Sequence, residues 1–563
     1  MKTSALLFPA LVTAVQDVFP HIKSEAFDNG DFGAYPNRTY ITEPTSISPR
    51  LNILQSDLRC DDGLYTMISL RGDKVELKGQ SPMVFDGKGD LIWMNATYGE
   101  TFGLGVQKYK GQDYLTFWQG DDSVGGHGEG YYYLLDSSYR EAYKLSAGNG
   151  MPGDLHEFHI STDGTALLTQ YLLEEAEFGG VGPRSRKGYI WDSVIQEVDL
   201  ETNKVLFEWH ASEHFKIDES DFPSGSTGRN KKSGYDFFHI NSIDKDHLGN
   251  YLISSRYYQS ITYINCSSGD ILWTLGGRHN SFKDLSDGNA TKFGWQHDAR
   301  WTSDHSGITL FDNGARYGLK PHVDHSRGLH IALDLDAMTA ELKHSYINPK
   351  GVISASQGSL QILPSGNVLM GFGYNAAWTE FTAEGVPLCD VHVGSQKTFN
   401  TGAVQTYKVL KHAWTGLPTT KPKIQFLDGD IYMSWNGATE VANWAIQSSN
   451  DGGVEVHSLI DVELVPKTGF ETKASLHCRR WKYVRAVAVD AKGQQLGASE
   501  MVETNCETSE EQALLQLRLD REQRIRWMLQ VIIFVGCGVG ICSLWRWRIR
   551  RRTYSAIQQK LWA

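Results

Sequence analysis

The sequence predicts a mainly β protein in which a ring of repeated sheets carries the chemistry. Composition is the first observation: 11% aromatic residues and 56 Gly against 16 Pro favour short strands joined by tight turns. Self-similarity is the second. Phe238-His239-Ile240-Asn241-Ser242-Ile243-Asp244 leads to Gly249-Asn250-Tyr251-Leu252-Ile253. Gln296-His297-Asp298-Ala299-Arg300-Trp301 leads to Gly307-Ile308-Thr309-Leu310-Phe311 in the same way. Leu155-His156-Glu157-Phe158-His159-Ile160 opens another such hairpin, and Gln357-Gly358-Ser359-Leu360-Gln361-Ile362 opens one without a histidine. The step from His239 to His297 is 58 residues and from His297 to Gln357 is 60. That lies somewhat above the roughly 40 to 50 residues of common propeller repeats, and fits four-stranded blades with long loops. The span from Gly63 to Ile424 holds about six units of this length, which closes as a six-bladed β-propeller with only short, protected edges.

Taken in order, the chain opens with Lys2 before Ala5 to Val15, a short apolar run ending in small residues that reads as a signal peptide over 1–15. A mixed lead-in segment follows over 16–62. The propeller is expected over 63–420. Over 421–503 the texture changes: Asp430-Ile431-Tyr432-Met433-Ser434-Trp435, then Trp444, then Lys482-Tyr483-Val484-Arg485-Ala486-Val487 read as a fibronectin type III-like β-sandwich with a core Trp opening one strand. Residues 504–526 are charged and helix-permissive, a stalk. Trp527 to Leu544 contains no charged residue, so 527–545 is long enough for one transmembrane helix. Arg546, Arg548, Arg550, Arg551 and Arg552 make 546–563 a basic cytoplasmic tail. Sequons at Asn37, Asn95, Asn265 and Asn289 agree with a glycoprotein of the secretory pathway or cell surface, its bulk lumenal or extracellular. In such an oxidising compartment some of the 7 Cys should pair, with Cys478 and Cys506 the first expectation.

Several classes are excluded. A formal charge of -12, with no basic cluster in the globular part, argues against nucleic acid, whose affinity rests on clustered Lys and Arg. Gly276-Gly277 lacks the Lys-Ser or Lys-Thr of a phosphate loop. His322, Asp324 and His325 have metal-binding chemistry but fit no ligand spacing, so neither a metal nor a cofactor is expected. Trp118, Trp273, Trp295 and Trp301 read as blade packing.

What remains is a set of polar residues: His239, His297, His156 and His159 at strand starts, Arg316 just after Phe311-Asp312-Asn313-Gly314, and His127 on a Gly-rich loop. The segments around His239, Trp273, His297 and Phe311-Asp312-Asn313-Gly314 resemble the arylsulfotransferase family, specifically its eukaryotic, largely fungal branch, over about Gly63 to Leu410. The resemblance implies a six-bladed propeller and transfer of a sulfuryl group between a phenolic sulfate ester and a phenol, through a transiently sulfated histidine and without a nucleotide donor. It assigns His239 to the family's Asp-x-x-His-x-Asn histidine, His297 to its Gln-His-Asp histidine and Arg316 to its arginine. The residue types suit this chemistry, because Arg donors hold sulfuryl oxygens while imidazoles supply a nucleophile and a proton carrier. One departure stands out. No histidine lies between Tyr346 and Asp390, where the family places the sulfated one. Either His156, His325 or His330 substitutes, transfer is direct, or the chain is a non-catalytic membrane-anchored propeller ectodomain that binds a sulfated or aromatic ligand or a protein partner.

Overall fold

A computed structural model describes residues 23–123, 126–178, 187–321, 323–449, 459–475, 482–504, 517–519, 521–526 and 528. The fold is mainly β, with many antiparallel sheets. Six sheets of four or five strands come first. Thr101–Tyr109, Gln112–Asp121, Glu129–Leu135 and Glu141–Leu145 make one meander, and Phe158–Ile160, Thr165–Glu177, Lys187–Asp199 and Val205–His210 make the next. Ile240–Lys245, Tyr251–Ser255, Ser260–Ile264 and Ile271–Gly276 follow, then His297–Trp301, Gly307–Asp312, Arg327–Asp334 and Thr339–Ile347. The fifth sheet runs from Ser359–Ile362 to Pro387–His392 and gains Asn52–Gln55 at its edge. In the sixth, Gln405–His412 pairs with Tyr65–Arg71, so the last strand of the array joins the first and the two ends of the stretch from Tyr65 to His412 are hydrogen-bonded together.

Alternation along each strand puts large apolar residues between neighbouring sheets. Trp118, Tyr132, Tyr258, Phe237, Phe238 and Phe311 are almost wholly buried there. The same packing needs glycine in places. A Cβ at Gly130 would sit 2.4 Å from Gln119 O and 2.7 Å from the Trp118 indole, which lets the chain beside His127 pass directly over that ring.

The lead-in is bound to this body. Asp28 accepts from His392 Nδ1 at 2.8 Å, Asn52 Nδ2 at 3.1 Å and Lys350 Nζ at 2.9 Å. A disulfide joins Cys60 to Cys389 across 329 residues, and Cys266 is free. The expected Cys478 to Cys506 pair lies outside the described residues. Beyond Lys423 two further sheets pack face to face, one of three strands and one built on Asn443–Ser449 and Tyr483–Val489, around Trp444, Ile431, Met433 and Val484. This unit is docked on the first body: Asn436 bonds both Met94 N and Met94 O, and Tyr139 Oη donates to Gly437 O at 2.7 Å. Among the described residues no helix is long and apolar enough to cross a membrane, and the expected 527–545 segment lies, apart from Met528, outside them. The 1–15 segment also lies outside them.

Candidate active site

Two histidines meet edge to face where the second and third sheets adjoin. The His156 and His239 rings are 4.8 Å apart between centroids, at 84°. Each is oriented by a carboxylate. Asp154 Oδ2 bonds His156 Nδ1 at 2.7 Å, and Asp236 Oδ2 bonds His239 Nδ1. With Nδ1 committed, each Nε2 makes no hydrogen bond to a described residue; there a neutral ring presents a lone pair and a protonated ring an N–H.

Local chain geometry fixes both pairs. Asp154 is fully buried and also accepts from the backbone N–H of His156 and of Gly128 and from Thr169 Oγ1, at 3.0, 2.8 and 2.8 Å. Burial would raise its carboxyl, but the His156 charge and these bonds outweigh burial and hold it well below the usual range. Tyr235–Asp236 lies parallel to Lys187–Asp199, and Phe237 and Phe238 are anchored in the core. The chain then turns through a left-handed His239, φ 55°, before the strand at Ile240. Ser255 Oγ and the N–H of Tyr257 both donate to Phe238 O, and Arg256 N–H donates to His239 O, so the turn is pinned. Burial pushes Asp236 up to about 6, and its Oδ1 has no partner. Burial, then the charges of His156, Arg256 and His127, push His239 well below its ordinary value and keep it neutral.

Aromatic side chains enclose the pair. Tyr257 lies 4.6 Å from His239, Tyr171 lies 5.7 Å from His156, and Tyr407 lies 5.9 Å from His156. His127 stacks on Tyr171 at 4.6 Å, so the Gly-rich loop contributes to the same cluster, and burial lowers the His127 pKa. Arg316 lies on Phe222 at 3.8 Å with Tyr257 at 5.3 Å, and its Nη2 donates to Tyr257 Oη at 3.4 Å. Arg256, 6% exposed, lies 5.8 Å from the same Tyr257 ring.

His297 is placed differently from the expectation. Its Nδ1 donates to Asn313 Oδ1 at 2.7 Å, and its Nε2 accepts the Gln357 N–H at 3.2 Å, so both ring nitrogens are engaged. The cause is a slip of one residue. Sheets three and four bond laterally at a step of 57, with Ala299 N on Ser242 Oγ and Trp301 N on Asp244 Oδ2, whereas the two histidines are 58 apart. One residue turns a strand side chain to the other face. The residue level with His239 is Gln296, whose Nε2 braces Ser254, Ser255 and Ser260. His297 therefore braces the fourth sheet to the fifth, within reach of the Arg256, His239 and His156 charges. Gln357 fills the strand start where a histidine was missing. His330 lies on Arg327–Asp334 beside His344, 6.2 Å between rings, and His156 is the one of the three substitutes seen against His239.

Below the pair opens a cavity of about 1740 Å³ that His156 lines at one end. Its wall carries a closed ionic set: Arg300 bonds Glu157 and Asp298, and Lys408 reaches Asp298 at 3.0 Å and Glu157 at 3.4 Å. His159 also lines it. Among the described residues no group of His, Cys, Asp and Glu has metal-site geometry.

Sequence reasoning missed Asp154, Asp236, Arg256, Tyr171 and Tyr257. Asp236 carried a signal, three positions before His239; the others are joined to the site only by the fold.

Comparison with known families matches residues 105–394, just over half of the chain, to Arylsulfotransferase (ASST). No curated protein matches. Among solved structures the chain is similar to a protein of unknown function from Bacteroides caccae, at 12% identity and TM-score 0.36, covering 62% of this chain and 99% of that one. It is also similar to the Pseudomonas aeruginosa periplasmic gluconolactonase PpgL, at 10% identity and TM-score 0.33, covering 78% and 96%. A third is Kuenenia stuttgartiensis hydrazine synthase, at 10% identity and TM-score 0.33, covering 86% and 98%.

Proposed function

Because this chain belongs to the arylsulfotransferase family, we propose that it moves a sulfuryl group from a phenolic sulfate ester to a phenol at the His156 and His239 pair, without a nucleotide donor. The observation that carries the reading is the pair itself: two carboxylate-oriented imidazoles with uncommitted Nε2 atoms, with Arg316 on the Tyr257 ring that packs against His239.

His239, kept neutral, is the nucleophile. Its Nε2 lone pair forms the N–S bond as the S–O bond to the aryl oxygen breaks, and the leaving oxygen takes that electron pair and a proton from His156 Nε2. The sulfated ring is an imidazolium that still donates Nδ1–H to Asp236, so an ionised Asp236 stabilises it. In the second half the acceptor phenol gives its proton to His156 Nε2, its oxygen bonds sulfur, and the N–S electron pair returns to His239. Arg316 holds the sulfuryl oxygens as charge shifts among them.

The six sheets are read as blades of one propeller over 63–420, closed by Gln405–His412 on Tyr65–Arg71, with a fibronectin type III-like sandwich over 421–503 and an anchor over 527–545. The Cys60 to Cys389 disulfide supports a lumenal or extracellular body.

The test is incubation of the full chain with a chromogenic aryl sulfate and a phenol acceptor. Transfer is expected, and its rate should fall as pH drops through about 6, since the mechanism needs Asp236 as carboxylate and burial raises that group to about 6. A folded chain that transfers nothing from acid to alkaline pH is instead the binding ectodomain.

A further inference from the structure

Arg256 is buried near the pair with no carboxylate among the described residues in hydrogen-bond contact, Asp236 acting on it only at longer range. Its Nε donates to Trp295 O at 3.4 Å and one Nη to Ala355 O at 2.6 Å, both backbone carbonyls, and no carboxylate among the described residues bonds it. Nη1 makes no hydrogen bond to a described residue. Two carbonyls fix the plane of the guanidinium and leave its charge intact. Burial pushes Arg256 below its usual range, and the like charge of Arg316 adds to the push. The two guanidinium carbons lie 5.8 and 5.3 Å from one Tyr257 centroid. Arg316 also meets no carboxylate among the described residues, and its Nε is buried with no partner. Two like charges around one ring, one of them wholly buried and the other half-buried, are unfavourable until an anion joins them. A planar fork with a spare donor suits an oxyanion with several equivalent oxygens.

We propose that Arg256 is a second anion-binding residue, which with Arg316 grips the terminal oxygens of the sulfate ester while the aryl oxygen faces His156. The assignment of a sulfate ester rests on the transfer reading above; the anion site stands on the two arginines. Neither the resemblance nor the strand pattern points to Arg256, because it follows the end of Tyr251–Ser255 and reaches the site through a tertiary turn.

The experiment compares the full chain with Arg256→Gln and Arg256→Lys, using inorganic sulfate as the probe in calorimetry. Arg256→Gln should weaken sulfate binding roughly 10- to 100-fold, and Arg256→Lys by less, since it keeps the charge without the fork. Arg256→Gln should also move the acid limb of transfer to higher pH, because the Arg256 charge interacts with Asp236 and favours the carboxylate that this limb reports. A purely structural brace moves neither readout. Unchanged sulfate affinity and an unchanged limb in folded Arg256→Gln overturn the proposal, even where transfer is seen. Sulfate binding that depends on Arg256 in a chain that transfers nothing keeps the anion site and overturns the transfer reading. Should Arg256→Gln fail to fold, Arg256→Lys decides alone, and wild-type sulfate affinity in it overturns the proposal.

Discussion

His239→Ala should abolish sulfuryl transfer, lowering the turnover rate by about a thousandfold or more, and His156→Ala should do nearly the same. In the first variant no atom is left to form the N–S bond. In the second the aryl oxide must leave without its proton. Because the two imidazoles act as a unit, the double variant should be little slower than either single one. His297→Ala is the contrast. It leaves Asn313 Oδ1 and the Gln357 N–H unpaired in a buried seam, so it should cost on the order of 2 kcal/mol of stability while most of the transfer rate survives at low temperature. Rates and urea midpoints on the three purified variants separate these effects. Loss of transfer in folded His297→Ala equal to that in His239→Ala would show that the seam histidine is chemical after all.

Glu157→Ala should be the most damaging single change to stability, by about 3 to 5 kcal/mol. Glu157 is 5% exposed and bonds both Arg300 and Lys408, which share only Asp298 otherwise. Removing one carboxylate leaves the buried Lys408 and the partly buried Arg300 with Asp298 as the one carboxylate still in bonding distance. Burial would raise Asp298 and Glu157, but the charges of Lys408 and Arg300 hold Asp298 at about 2 and Glu157 below its ordinary value. A carboxyl lowered by the fold contributes stability that is present above its unfolded value and lost as pH falls through its folded one. The difference between wild type and Glu157→Ala should therefore be full at neutral pH and shrink as pH falls from about 4 toward 2. A urea midpoint that differs by less than about 1 kcal/mol at pH 7 would mean that the ionic set is solvated and unimportant.

Much of this was legible in the sequence because it is periodic. The hairpins at His156, His239, His297 and Gln357 all became paired strands, and Trp444 became a core residue of the second unit. Histidines 156 and 239 were visible as polar residues at strand starts, and Arg316 as one just after the strand that ends at Asp312. The partners that make them a site were not, since Asp154 meets Thr169 and Gly128, and Arg256 meets Ala355, only after the sheets assemble. His297 shows the sharper limit: a count of 58 and a lateral step of 57 look alike in a sequence and point a side chain to opposite faces in a sheet. The Cys60 to Cys389 bridge spans 329 residues, a separation at which spacing says nothing about pairing.

The central claim is that His239 carries the sulfuryl group. Mixing the full chain with an aryl sulfate in the absence of acceptor, quenching within a turnover in alkali and mapping the modified peptide by mass spectrometry tests it directly. The account predicts one equivalent of released phenol and a sulfuryl group on the peptide that contains His239, absent from His239→Ala. A sulfuryl group on a peptide from elsewhere in the chain, or steady transfer with none on the protein, would contradict it.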